Sequence, residues 1–328
     1  MENKNTSPEI LEFLKKTGLN IPILSSEKHY WVVRARSLAY RQTKHFSDND
    51  EIWVTKDEIF TYSPNQYKTK FNEINEISLG DILLIPNYNL KKIKIVESIS
   101  DIKKEENVKE YKSKVANNEA YIQRINFKLL KEISISELDI KIASEFDLKT
   151  YSKVHKNYGI VNIDAYSSDI EELIYDFYIK ENEIKYSIKL LSSNELKLGE
   201  LRTLVNLPYI IDSYLKNNYY DLDESICRIY FKSPGNFSIK SKGLKGLKDA
   251  VITIFLLDLI LNGISISYKD FEIETEGIGD FIIKNKKELF SNVDEEKIYK
   301  IDHNDPKIDE IIQLDKNCSI KLPNIKDF

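Results

Sequence analysis

Gly80-Asp81 is followed by four consecutive apolar residues, Ile82 to Ile85, then by the turn dipeptide Pro86-Asn87 and an alternating run over 92–99. A short apolar run bounded by turn residues reads as a strand buried on both faces, and the alternation after it as its hairpin partner. This pair commits the first half of the chain to β structure. Other strand-like runs surround it at 29–35, 51–54, 59–62 and 121–130, rich in aromatic and β-branched residues. The segment 101–119 is charged without an apolar period and reads as a solvated loop. Ser134-Ile-Ser-Glu137 has the spacing of a capping box that opens a short helix.

Ahead of these strands stands a punctuated helix, with Ser7 as N-cap, Pro8 at its first position and Gly18 as its stop. Its apolar face is Ile10, Leu11, Phe13 and Leu14. The pattern changes near residue 150, where the polar segment 149–158 reads as a linker. Beyond it, Ile170, Leu173, Ile174 and Phe177 have helical spacing, whereas Ile184, Tyr186, Ile188 and Leu190 alternate as a strand. A helical region over 199–217 is expected to break at Pro208. A hairpin follows over 226–231 and 236–240 around Ser233-Pro234-Gly235, then a buried helix over 244–262, a strand over 264–273, a helix over 280–290 and a loose acidic tail. With 328 residues, two domains are the better prior. The expected fold class is α+β, divided into a lead-in helix (1–26), a β-rich domain (27–150) and a mixed α+β domain (151–328).

Composition excludes several classes. Hydrophobic residues make up 41% and charged residues 31%, enough apolar material for a core. The abundance of Ile, Lys, Asn and Tyr is that of an AT-rich bacterial gene. Two cysteines, Cys227 and Cys318, cannot build a disulfide framework, and no clustered Cys or His points to zinc. The longest apolar run, 250–261, is too short to span a bilayer and contains Asp258, and the N-terminus lacks a signal-peptide core. The expected location is cytoplasmic.

Charge distribution says more than the net −5. Residues 151–328 hold 24 Lys and Arg against 30 Asp and Glu, a net of −6. The segment 28–45 contains Lys28, Arg34, Arg36, Arg41 and Lys44 and no acid, with Tyr30, Trp31 and Tyr40 interleaved. Cations mixed with stacking groups are what nucleic-acid surfaces use, so Arg34, Arg36, Arg41 and Lys44 are candidate phosphate contacts.

The order of these pieces resembles a known family. Tyr30-Trp-Val-Val-Arg-Ala35, Gly80-Asp81 with its apolar strand, the run 93–99 and Tyr121-Ile-Gln-Arg-Ile125 leading into Ile133-Ser-Ile-Ser-Glu-Leu138 resemble the PUA-like barrels of the EVE type. The nearest form is the module found ahead of the catalytic domain in Mrr-type restriction endonucleases. The resemblance covers about 27–145. It implies a small β-barrel that binds DNA and holds a flipped, often modified, base between aromatic walls. Carried onto this chain, the walls are Trp31, Trp53, Tyr62 and Tyr88, with Arg34 and Asn87 as edge or backbone contacts. Two positions depart from the family: Arg36 stands where it has glycine, and Pro86 where it has an aromatic residue.

For catalysis the sequence offers less. Glu183-Ile184-Lys185 with Asp164 or Asp176 upstream has the residue types of a Mg²⁺-dependent nuclease, but the carboxylates must converge in space to hold the ion. Lys240-Ser-Lys-Gly243-Leu-Lys-Gly246 could place a phosphate at a helix N-terminus, though a hairpin-to-helix turn is the simpler account. His29, His45, His155 and His303 are scattered. The sequence thus favours a cofactor-free DNA-binding component of a bacterial antiviral, restriction-type defence system. Residues 151–328 would serve self-assembly or contact with an effector. The alternative is a diverged nuclease using Asp164, Glu183 and Lys185.

Overall fold

A computed structural model describes residues 6–33, 36–37, 51–54, 58–63, 74–86, 92–100, 103–106, 121–134, 136, 160–191, 198–217, 226–229, 235–262, 285, 289 and 305–323. The fold is α+β, with two sheets and several helices. The chain divides into two compact units, Glu27–Ile174 and Met1–Ser26 with Tyr175–Phe328. The division expected at residue 150 thus falls at 174, and the lead-in helix joins the second half.

In Glu27–Ile174 the sheet runs β10 (Ile160–Asn162), β2 (Tyr30–Val33), β6 (Ile82–Pro86), β7 (Lys92–Ser98), β9 (Tyr121–Ser134), β5 (Glu58–Ser63), β4 (Glu51–Val54) and β3 (Arg36–Ser37). A further strand, β8 (Lys103–Glu106), pairs with β9. Among the described residues no pairing joins β10 to β3. The β6–β7 hairpin forms as expected, and β2 lies parallel to β6. Part of the expected loop over 101–119 is therefore strand; backbone pairing needs no apolar period, which is why the charged sequence concealed it. Ser134 ends β9, and its Oγ accepts the Ser136 N–H at 3.3 Å, a contact of the kind the expected cap would make; Glu137 and the residues after it lie outside the described residues.

Both faces of β2 and β6 are covered, which accounts for their unbroken apolar runs. Tyr30, Val32, Ile82 and Leu84 pack with Ile163 and with Ile170 of α2 (Ser167–Ile174). Trp31, Val33, Leu83 and Ile85 pack on the other side with Ile59, Val96, Ile125 and Phe127. Because α2 buries its apolar face on this sheet, the segment after residue 150 cannot belong wholly to the second half. Phe177, expected on that helix, lies instead in β11 (Phe177–Lys180).

The other unit has the strand order β1 (Ile23–Leu24), β11, β12 (Glu183–Leu190), β14 (Gly235–Lys242) and β13 (Ile226–Ile229), with β15 (Ile320–Lys321) also on β12. Its core gathers β12 with α1 (Pro8–Thr17), α3 (Leu198–Asn217), α4 (Gly243–Asn262) and α5 (Pro306–Cys318). Helix α1 is capped as its sequence predicts: Ser7 Oγ accepts from the Ile10 N–H, and Gly18, at φ 73°, donates to the Leu14 carbonyl. Ile10, Phe13 and Leu14 enter the core, whereas Leu11 is 40% exposed, which removes it from the expected apolar face. The Ser7 N–H also donates to Asn182 Oδ1 in the β11–β12 turn. These contacts tie the first residues to the second half.

Two expectations for this unit change. Helix α3 passes through Pro208, because the loss of one N–H is outweighed by the burial of Leu204, Leu207 and Ile210 along the same face. The expected loose tail contains α5, capped by Asp305 with Pro306 at its start and burying Ile308, Ile311, Leu314 and Cys318. Glycines 243 and 246 belong to the strand-to-helix turn that was the simpler account of this motif. The Gly243 N–H donates to the Asn182 carbonyl, and the Gly246 carbonyl accepts from Ser241 Oγ at 3.0 Å. A Cβ at Gly246 would lie 2.8 Å from Ser241 Oγ and 2.9 Å from its Cβ. Gly246→Ala is therefore expected to destabilise this unit by about 1–2 kcal/mol, read as a lower urea midpoint; an unchanged midpoint would refute the close packing.

Candidate nucleic-acid interface

The cluster at the start of β2 is built around Asp81. Gly80, at φ 92°, turns the chain so that the Asp81 side chain points inward beside β2. Asp81 is 2% exposed. Its Oδ1 accepts the His29 N–H at 3.1 Å, and its Oδ2 accepts the Trp31 indole N–H at 2.9 Å and the Ser78 N–H at 2.8 Å. A buried carboxylate with three N–H donors is well satisfied. The Gly-Asp dipeptide thus locks the aromatic strand to the hairpin, a role that the sequence alone did not disclose.

A second carboxylate, Asp164, ties the same strand to the segment before α2. Its Oδ2 meets His29 Nδ1 at 2.7 Å and Asn162 Nδ2 at 3.0 Å, while Oδ1 accepts the Tyr30 N–H at 2.6 Å. The hydrogen bond to Asp164 holds the His29 imidazolium above its ordinary pKa of 6.5, against a smaller opposing effect of burial. Burial works to raise the Asp164 pKa, but the hydrogen bonds from His29, Asn162 and Tyr30 prevail and hold it below 3.8. The His29 contribution to stability is complete below about pH 6.5 and fades as pH rises through its folded pKa; that of Asp164 is complete above about pH 3.8 and fades as pH falls through its folded pKa. The tie is therefore strongest between those limits. NMR titration should place the His29 midpoint above 6.5 and return it toward that value in Asp164→Asn; an unmoved midpoint would show that Asp164 does not hold the ring.

The expected binding residues fall in three places. Trp31 lies in the packed interior, 6% exposed, with its indole N–H on Asp81. Arg36, Trp53 and Tyr62 are placed by their backbones: Arg36 pairs with Trp53 across β3 and β4, and Tyr62 of β5 pairs with Glu51 and with Ile122 of β9. Arg34, Arg41, Lys44, Asn87 and Tyr88 lie outside the described residues. Within the basic segment, Lys28 is already engaged with Glu97.

The residues of the nuclease alternative fall in different units. Asp164 is held as above in Glu27–Ile174, whereas Glu183 and Lys185 belong to the other unit. Glu183 pairs with Lys240 and, at 3.8 Å, with Lys242. Lys185 Nζ sits 5.4 Å from the centre of the Tyr178 ring. Among the described residues, no group of three or more His, Cys, Asp or Glu side chains is arranged to hold a metal ion. No described helix is long and apolar enough to cross a membrane. No protein-family model, curated protein or solved structure matches the chain.

Proposed function

We propose that Glu27–Ile174 is a DNA-binding module of the PUA/EVE type, reading a flipped or modified base, in a cytoplasmic bacterial defence protein. In this reading the second half assembles with itself or with an effector. What supports it is that the two pieces carrying the resemblance, the aromatic strand β2 and the Gly80-Asp81 hairpin, are neighbours joined through Asp81. The segment bearing Arg34, Arg36, Arg41 and Lys44 leaves directly from the end of that strand. These four cations would neutralise phosphates, with Trp53, Tyr62, Asn87 and Tyr88 around the base and Trp31 as the fixed interior side.

The test uses the full chain. Replacing Arg34, Arg36, Arg41 and Lys44 by Gln should weaken duplex binding and reduce the slope of log K against log salt by about 0.9 for each lost phosphate contact. Unchanged affinity and slope would end this reading. Incubation with Mg²⁺ and phage DNA supplies a second check. Cleavage that disappears in a Glu183→Ala, Lys185→Ala double variant would replace the binding module by the nuclease.

A further inference from the structure

Helix α3 has a second side that its own packing leaves exposed. Leu204, Leu207 and Ile210 sink one side into the core. Turned away from them, Val205 and Tyr209 are 49% and 67% exposed, and Arg202 is exposed as well. Arg202, Val205 and Tyr209 stand three and four residues apart, and the same spacing continues to Asp212. Positions that alternate three and four apart run along one side of a helix, as the a and d positions of a coiled-coil heptad do.

Exposed apolar residues scattered singly need no explanation. Here a valine and a tyrosine are neighbours one turn apart with an arginine beside them, and tyrosine and arginine are enriched at the centres of protein interfaces. Lys307 of α5 places its Nζ 6.0 Å from the centre of the Tyr209 ring, so the ring is already restrained before anything docks on it.

We propose that this side of α3 is where two copies of the chain associate, their α3 helices lying antiparallel. The inference rests on the reading that the second half assembles with itself, and it names the surface. Symmetry and charge select a second copy as the partner. A two-fold interface joins the same patch of both copies, so a position ahead of the centre meets one an equal distance behind it. The apolar pair is centred on position 207, which sets Val205 of one copy against Tyr209 of the other. About that same centre, Arg202 and Asp212 stand equally far to either side, so a cation of one copy meets an anion of the other at both ends of the contact. The patch thus complements itself. A strongly basic or strongly acidic partner protein would match one of these charges and oppose the other. Because the contact is shorter than a standard interface, association should depend on concentration.

The experiment follows the full chain by sedimentation velocity across roughly 1 to 100 μM, where the native protein should pass from monomer to dimer. Arg202→Glu alone sets an acid against Asp212, and Asp212→Arg alone sets a second arginine against Arg202. Each should weaken self-association at least about tenfold. Mixed in equal amounts, the two variants should associate as the native chain does, because both ends of the contact then join opposite charges. That recovery separates a docking contact from damage to the fold, since two misfolded chains do not repair one another. Tyr209→Ser removes the apolar centre and should also weaken association, while the urea midpoint stays in place because the ring is exposed. A native chain that remains monomeric throughout would overturn both this surface and the self-assembly reading, and leave the effector as the partner. A dimer that persists unchanged in both charge variants and in Tyr209→Ser would overturn this surface alone. So would charge variants that lose association and fail to regain it on mixing.

Discussion

Replacing Asp81 by alanine is expected to destabilise Glu27–Ile174 by at least about 3 kcal/mol, since three donors would lose their acceptor at roughly 1 kcal/mol or more each. The donors are the His29 and Ser78 backbone N–H groups and the Trp31 indole N–H, and the carboxylate that receives them is buried. Asparagine should not rescue the site. Its amide can present only one oxygen, and whichever way it turns, at least one N–H would face an NH₂ group. Urea unfolding followed by tryptophan fluorescence checks this, with Trp31 as a reporter inside the affected core. A loss below about 1 kcal/mol for Asp81→Ala would mean that water replaces the carboxylate and that the lock is dispensable. The consequence for the proposed function is direct, because β2 leads into the segment carrying Arg34. A loosened strand would therefore weaken DNA binding even though Asp81 touches no phosphate.

Local chemistry made much of the fold legible. Ser7, Pro8 and Gly18 define α1 because caps act within one turn. The run Ile82 to Ile85 defines a doubly covered strand because both its faces must be apolar. What stayed hidden depends on partners distant in sequence. Asp81 and Trp31 are 50 residues apart, and Tyr30 and Glu171 are 141 apart. No spacing rule pairs residues at such distances. The placement of α2 was missed for the same reason: its helical period was visible, but Ile170 finds its core on Tyr30 and Val32 of the first half. Helix α5 is a different case. Asp305-Pro306 and the spacing of Ile308, Ile311 and Leu314 were present as signals, and the acidic composition of the tail obscured them. The candidate site divides similarly. The basic segment and the Gly-Asp dipeptide stood out, but the three N–H donors that meet on Asp81 became visible only in the fold.

The second large effect is expected from the pair that fixes α2. Tyr30 Oη donates to Glu171 Oε1 at 2.5 Å, and the two residues are 2% and 1% exposed. At the other end of the helix, Lys131 Nζ donates to the Leu173 carbonyl, where a cation also favours the helix dipole. Tyr30→Phe keeps the ring in its core and removes one hydroxyl, leaving a buried acid short of a donor, at a cost of about 2–4 kcal/mol. Glu171→Leu removes the acid instead, so the Tyr30, Glu171 double variant to Phe and Leu makes the contact wholly apolar and should recover much of the loss. A double-mutant cycle should therefore show a coupling of at least about 1 kcal/mol. Hydrogen exchange gives the dynamic counterpart: amides of α2 should lose protection in Tyr30→Phe before those of β6 and β7, because the helix opens locally while the sheet persists. If all three elements lose protection together, α2 belongs to the cooperative core of the sheet, and its covering of β2 cannot be undone without unfolding the unit that carries the basic segment.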